Sequence, residues 1–224
     1  MPSVLPAAKS VLVVCAHPDD ESFGLGGILS ALVKQGADAT VLCFTRGEAS
    51  TLHTTEEDLA TVRAQEFAQA ADVLGVLRSE MLDYPDGRLT EQPLPELTAH
   101  VRQIVEEMDT DLILVFDEGG ITGHRDHVQA TKAAVTAGTS SGVPVLAWAM
   151  LDEIANELNN EFDAGFVGRS EGELAFSVPV DRTLQLEAIR CHMSQSGSNP
   201  VLRRRLELTG DVEYLRWLTP ESTS

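Results

Sequence analysis

A chain of 224 residues with 43% apolar content can fill one sizeable α/β core. The formal net charge is −19 and only three of the 16 basic residues are lysines, so most of the surface repels phosphate backbones and anionic lipid; no nucleic-acid and no membrane partner is expected. No stretch approaches the roughly 20 apolar residues that cross a bilayer, no signal core follows Met1, and the odd set Cys15, Cys43 and Cys191 reads as small thiols in a reducing, cytoplasmic compartment rather than a disulfide frame.

Along the chain, strand-like apolar runs are predicted at 11–15, 40–45, 111–116 and 144–149, with helix-like stretches at 23–36, 56–75, 93–108 and 124–139 between them. A short strand near 80–82 fits the same rhythm. The alternation predicts an α/β fold: a single Rossmann-like domain over 1–224 whose mostly parallel sheet carries helices on both faces. Continuous runs such as Leu112-Ile113-Leu114-Val115-Phe116 suit strands buried on both sides. Residues 151–173, with an Asn-rich segment and three glycines, read as a short helix and a mobile loop of the kind that lids a site. A strand is expected at 174–178, then a helix through Leu184, Ala188, Ile189 and Cys191 that Asp181 could cap. The core is placed at about 10–195. Residues 196–224 read as a helical surface tail, carrying Arg203-Arg204-Arg205 and docking through Tyr214 to Leu218; anion binding is a second reading of the three arginines.

Two runs carry chemistry. Ala16-His17-Pro18-Asp19-Asp20-Glu21 follows the first strand, and Gly123-His124-Arg125-Asp126-His127 lies far downstream, behind another strand on the same predicted sheet edge. Ligands of open α/β sheets gather at the carboxyl ends of strands. Together the runs supply the two-His, one-carboxylate set that catalytic zinc uses with an open fourth position. His124 and His127, at i and i+3 of a helix start, can face the same way, so that one holds a metal while the other acts on substrate. The adjacent carboxylates Asp19 and Asp20 resist joint ionisation in a dry site unless a cation sits between them. The plainer alternative is a capping turn and a solvated helix start with ordinary histidines.

These residues resemble the LmbE-like, or PIG-L, family of zinc deacetylases, whose marks are an AHPDDE run after the first strand, a later HPDHxx motif and a C-terminal HxSQ element. Here they are Ala16 to Glu21, His124 to His127, and His192-Met193-Ser194-Gln195, so the resemblance spans about 10–195. It implies that His17, Asp20 and His127 bind Zn2+, that Asp19 is the general base, and that His124 steadies the oxyanion or protonates the leaving amine. Iron (Fe2+) suits the same triad. The implied substrate is a small N-acetyl amino-sugar, an N-acetylglucosamine derivative of the GlcNAc-inositol, GlcNAc-malate or chitobiose type. An amidase of a mycothiol-type thiol conjugate and a non-catalytic metal-binding module are the alternatives, and a homo-oligomer is left open. Against a nucleotide binder, Gly24-Leu25-Gly26-Gly27 lacks the GxGxxG spacing.

Further family-like elements imply sugar contacts from Glu48, Arg63 and Asp86, through paired, charge-assisted hydrogen bonds. The competing readings are a surface pair of Arg63 with Glu66 and a plain turn at Asp86. Glu21 reads as a supporting carboxylate. His192 and Gln195 either line the pocket or stitch the last helix to the sheet, and His53 and His100 read as surface histidines. Two departures from the family pattern stand out: Arg125 replaces the usual proline, and Gln185 stands where many relatives carry lysine. Arg125 could add positive charge at the mouth, to suit an acidic aglycone.

Overall fold

The computed structural model describes residues 1–52, 57–197 and 199–219. In its first two thirds, β1 (Ser10–Cys15), β2 (Asp38–Thr45), β3 (Arg78–Tyr84), β4 (Leu112–Phe116) and β5 (Val145–Leu151) alternate with helices. These are α1 (Asp20–Phe23), α2 (Gly26–Lys34), α3 (Leu59–Leu74), α4 (Leu94–Glu107), α5 (Gly120–Gly123) and α6 (Arg125–Ser141). The rest contains α7 (Asp152–Phe162), β6 (Gly168–Arg169), β7 (Phe176–Pro179), α8 (Thr183–Cys191), α9 (Met193–Ser196), α10 (Pro200–Thr209) and β8 (Val212–Trp217).

The strands form one sheet in the order β3-β2-β1-β4-β5-β8-β7, with β6 paired to β5. β1 to β5 run parallel; β8 is antiparallel to β5 and to β7. Alternate side chains of β1 feed two cores. Val11, Val13 and Cys15 pack on the α2 and α3 side, and Leu12 and Val14 pack on the side covered by α4 and α6. A strand buried on both faces needs the unbroken apolar run seen in its sequence. Chain order reverses at β1, which has β2 on one side and β4 on the other. At such a reversal the following loops part and leave a crevice. Because β1 and β4 are hydrogen-bonded neighbours, the two histidine-bearing loops open into the same crevice.

The α/β architecture and the main elements agree with expectation. The tail departs from it: residues 212–217 are not helical but form β8, inserted between β5 and β7. Glu213 and Leu215 are buried while their neighbours are partly exposed, a period of two that belongs to a strand. The stretch expected as a short helix and mobile loop carries the 11-residue α7, and the segment after it returns through the β6 pairing. The Asn159 side chain accepts the Phe166 N–H at 2.6 Å and donates to its carbonyl at 2.9 Å, which fixes the return path. Asp181 accepts from the N–H and hydroxyl of Thr183 at the start of α8. Cys15 and Cys43 are buried and unpaired, and Cys191 is half-buried. His100 is half-buried, its Nε2 3.0 Å from the Tyr84 hydroxyl; His53 lies outside the described residues. No described helix is long and apolar enough to cross a membrane.

Candidate metal and substrate site

The turn after β1 is held in a conformation that its sequence alone disfavours. Asp19 has φ 116°, in the left-handed region that non-glycine residues rarely enter. Such strain costs on the order of 1–3 kcal/mol and persists only when neighbours over-determine it. Here the Asp19 N–H donates to Glu21 Oε2 at 2.9 Å, and Arg63 donates to Asp19 Oδ2 at 2.9 Å. Arg63, only 3% exposed, also donates to the carbonyls of Pro18 and Gly47. Gly47 has φ +64°, and a Cβ there would run into the Arg63 guanidinium. Glu66 does not pair with Arg63; it accepts from the N–H and hydroxyl of Ser194, tying α3 to α9.

Beside Asp19, three groups converge. Asp20 Oδ2 accepts the N–H groups of Ala16 and His17, and its Oδ1 stands 3.1 Å from His127 Nε2. His127 Nδ1–H donates to the Gly120 carbonyl at 3.1 Å, which turns Nε2 inward as an acceptor. His17 Nδ1 lies 3.1 Å from that Nε2 and 3.9 Å from Asp20 Oδ2. On its other side, His17 Nε2 meets Asp86 Oδ1 at 3.1 Å and Asp126 Oδ2 at 3.4 Å. Two imidazole nitrogens bound to one tetrahedral zinc would stand roughly 3.3 Å apart, so the donor set fits a small divalent cation. One nitrogen each of His17, His124 and His127 also falls within 4.8 Å of the others. His124 Nδ1, however, accepts the Asp126 N–H as the cap of α6. A second cluster, His17 with Asp86 and Asp126, has its carboxylates engaged: Asp126 accepts from Gly87 and Leu89, and Asp86 from Ala49.

The electrostatics favour a cation. Burial lowers the His17 imidazole, but the hydrogen bonds it donates to Asp126 and Asp86 outweigh that and hold it up at about 10. Burial pushes the Asp19 carboxyl up to about 6 despite the opposing Arg63 charge. Burial would raise Asp20 too, yet His127 and His17 hold it well below the carboxylate range. His124 is lowered by burial and by the other two imidazoles, which leaves it neutral at neutral pH.

These groups form one part of a cavity of about 640 Å³. Its walls include His17, Asp19, Asp20, Arg63, Asp86, His124 and His127, and further round Phe116, Trp148, Gln195 and Arg205.

A family model described as PIG-L, GlcNAc-PI de-N-acetylase, matches residues 12–138. The chain belongs to the PIG-L family. It is 29% identical over 218 residues to a probable N-acetyl-alpha-D-glucosaminyl L-malate deacetylase 2 of Bacillus anthracis, covering 95% of this chain and 93% of that one. It is 31% identical over 171 residues to a 1D-myo-inositol 2-acetamido-2-deoxy-alpha-D-glucopyranoside deacetylase 1 of Catenulispora acidiphila, covering 65% of this chain but only 53% of that one. Among solved structures, the N,N'-diacetylchitobiose deacetylase of Pyrococcus horikoshii superposes with TM-score 0.69 at 25% identity, over 94% of this chain and 84% of that one. A zinc-inhibited teicoplanin deacetylase gives 0.70 at 21% identity, over 93% and 97%. A 4-carboxy-2-hydroxymuconate hydratase gives 0.73 at 18%, over 96% and 98%. These last two likenesses are of fold alone, and the hydratase places a different reaction on the same scaffold.

In this PIG-L chain the candidate residues of the two histidine runs share one cavity, together with Arg63 and Asp86. Glu48 is not among the residues that line it; its carboxylate accepts the Asp86 N–H at 3.0 Å and so supports that loop. Arg125 is exposed and likewise absent from the walls. The HxSQ element divides: Gln195 lines the cavity and accepts from Ser50, whereas His192 is fully buried against Glu21. Gln185 donates to the carbonyls of Ser22 and Phe23, stitching α8 to the turn after β1. The aromatic wall of Phe116 and Trp148 and the inward arginine were missed. Spacing held a signal for the last of these, since Leu202, Arg205 and Thr209 follow the i, i+3, i+7 rhythm of a buried helix face.

Proposed function

We propose that this PIG-L chain is a zinc-dependent hydrolase that removes the acetyl group from an N-acetylglucosamine derivative. The observation that carries this reading is the convergence of His17 Nδ1, His127 Nε2 and Asp20 Oδ1, with Asp19 and His124 beside them in the same cavity. A module that only stored a metal would need neither of the last two. The names of the relatives support the substrate class.

In this reading His17, Asp20 and His127 hold the zinc. When bound, the ion supplies Lewis acidity toward the amide carbonyl and the attacking water. Asp19 takes the proton of that water, and Arg63 keeps its carboxylate aimed. His124, whose Nδ1 is occupied by the Asp126 N–H, presents Nε2–H to the carbonyl oxygen or the departing nitrogen. An amine does not leave as an anion, so a proton must reach that nitrogen as the C–N bond breaks. Acetate and a free amine result. Asp86, with Glu48 behind it, and Arg63 are the groups this reading assigns to the sugar hydroxyls.

The test is a panel of N-acetylglucosamine glycosides and thiol-conjugate amides, assayed for acetate and free amine before and after chelation. Acetate release that chelation abolishes and zinc restores is expected. A chain that holds zinc yet cleaves no amide would instead be a metal-binding module.

A further inference from the structure

The consecutive Arg204 and Arg205 of α10 have different fates. Arg204 stays at the surface among Glu157, Glu161 and Glu207. Arg205 turns inward and is only 4% exposed. Its guanidinium carbon stands 5.2 Å from the centre of the Trp148 ring, and Nη2 donates to the Phe23 carbonyl. Among the described residues its Nη1 has no hydrogen-bond partner.

Among the described residues the nearest carboxylate oxygen to Nη1 is Glu213 Oε1, at 4.0 Å, and that group is already committed. Arg182 donates to the same Oε1, and the Trp148 indole N–H donates to Oε2 at 2.6 Å. Two buried guanidinium groups therefore share one buried carboxylate. Burial and the Arg182 charge bring Arg205 down to about 10 against the pull of Glu213, which leaves it cationic at neutral pH. A buried cation with incomplete pairing is expensive to keep. Guanidinium is also the side chain best shaped to take an oxyanion.

Arg205 lines the same cavity as His17 and His127. Phe116 and Trp148 lie between the two regions, with ring centres 4.9 Å from His127 to Phe116 and 5.5 Å from Phe116 to Trp148. The carboxylates that line the cavity, Asp19, Asp20 and Asp86, cluster around His17. The cavity is thus acidic around the imidazoles and cationic beyond the aromatic wall.

We propose that Arg205 is an anion-receiving subsite, taking a carboxylate or phosphate on the substrate's aglycone while the acetamide lies against His17 and His127. This deepens the deacetylase reading and rests on it. It assigns the charge preference to Arg205, not to the exposed Arg125.

The test compares N-acetylglucosamine joined to malate, to glycerol phosphate and to methanol, with wild type, Arg205→Gln and Arg205→Lys. The wild type should favour one of the anionic glycosides, and which one separates carboxylate from phosphate. Arg205→Gln should lower kcat/KM for that glycoside about ten- to hundredfold more than for the methyl glycoside, chiefly through KM, and Arg205→Lys should recover part of the difference. A purely structural role would lower all three together, and that result overturns the proposal. If neither variant folds, a wild type with no preference between charged and neutral glycosides overturns it equally. Calorimetric binding of malate and of glycerol phosphate keeps the subsite testable apart from turnover. Binding of either that Arg205→Gln abolishes supports the subsite even in a chain that cleaves no amide, and binding the variant leaves unchanged sinks it.

Discussion

His192 Nε2 lies 2.6 Å from Glu21 Oε1, with both side chains wholly buried, and the other oxygen of Glu21 accepts the N–H of the strained Asp19. The pair links the last third of the chain to the turn behind β1, 171 residues away in sequence. Removing one partner leaves the other buried without its counterpart. Glu21→Ala should therefore lose about 3–5 kcal/mol of stability by urea denaturation, whereas a surface change such as Glu106→Ala should stay within about 0.5 kcal/mol.

The same pair makes stability depend on pH. Burial lowers the His192 imidazole, but the Glu21 charge and hydrogen bond outweigh it, so its folded pKa lies above the usual 6.5. A raised folded pKa contributes stability that is complete below about pH 6.5 and fades as pH climbs through the folded value. The stability gap between wild type and His192→Gln should accordingly narrow on the alkaline side. A gap that is flat from about pH 5 to 9 would contradict this.

Asp19 can be separated from metal binding. Asp19→Asn should keep its metal content by elemental analysis and lose about 10²- to 10⁴-fold in kcat, the range of a displaced general base. Full turnover in a metal-loaded Asp19→Asn protein would remove the base assignment.

Asp126 orients His17 and receives the backbone of the loop after β3, and it touches no substrate in the proposed reaction. Its loss should act through the metal: Asp126→Ala is expected to weaken zinc affinity about 10- to 100-fold in a competition titration. His17→Ala and His127→Ala should abolish binding and turnover together.

Gly24 packs where a Cβ would run into the Phe116 ring, the ring that also rests edge-on against His127. Gly24→Ala should cost about 1–3 kcal/mol by overpacking and disturb turnover as well. A variant with unchanged melting and rate would show that the aromatic wall yields freely.

Much of this was legible from residues alone, for a physical reason. Runs such as 11–15 and 112–116 are apolar on both faces because they lie in the middle of the sheet, so the burial pattern is written along the chain itself. His17, Asp20, His124 and His127 sit beside strand ends, and strand ends are where α/β sheets place ligands. Helix periodicity could also have pointed Arg205 inward, but not shown what it would meet there. β8 was missed because its six residues alternate weakly, and its buried Glu213 reads as a surface residue until Arg182 and Trp148 are seen around it.

Local patterning therefore determined the order of the main elements up to β5, the parallel part of the sheet and the pair of motifs that carry the chemistry, since each depends on neighbours within a few residues. Tertiary structure alone decided that Glu21 would clasp His192, that Arg63 would pin the strained turn rather than pair with Glu66, and that Arg205 would share Glu213 with Arg182. Those outcomes depend on contacts between segments far apart in sequence, where burial makes each unpaired charge or donor costly and only the assembled fold determines which partner satisfies it.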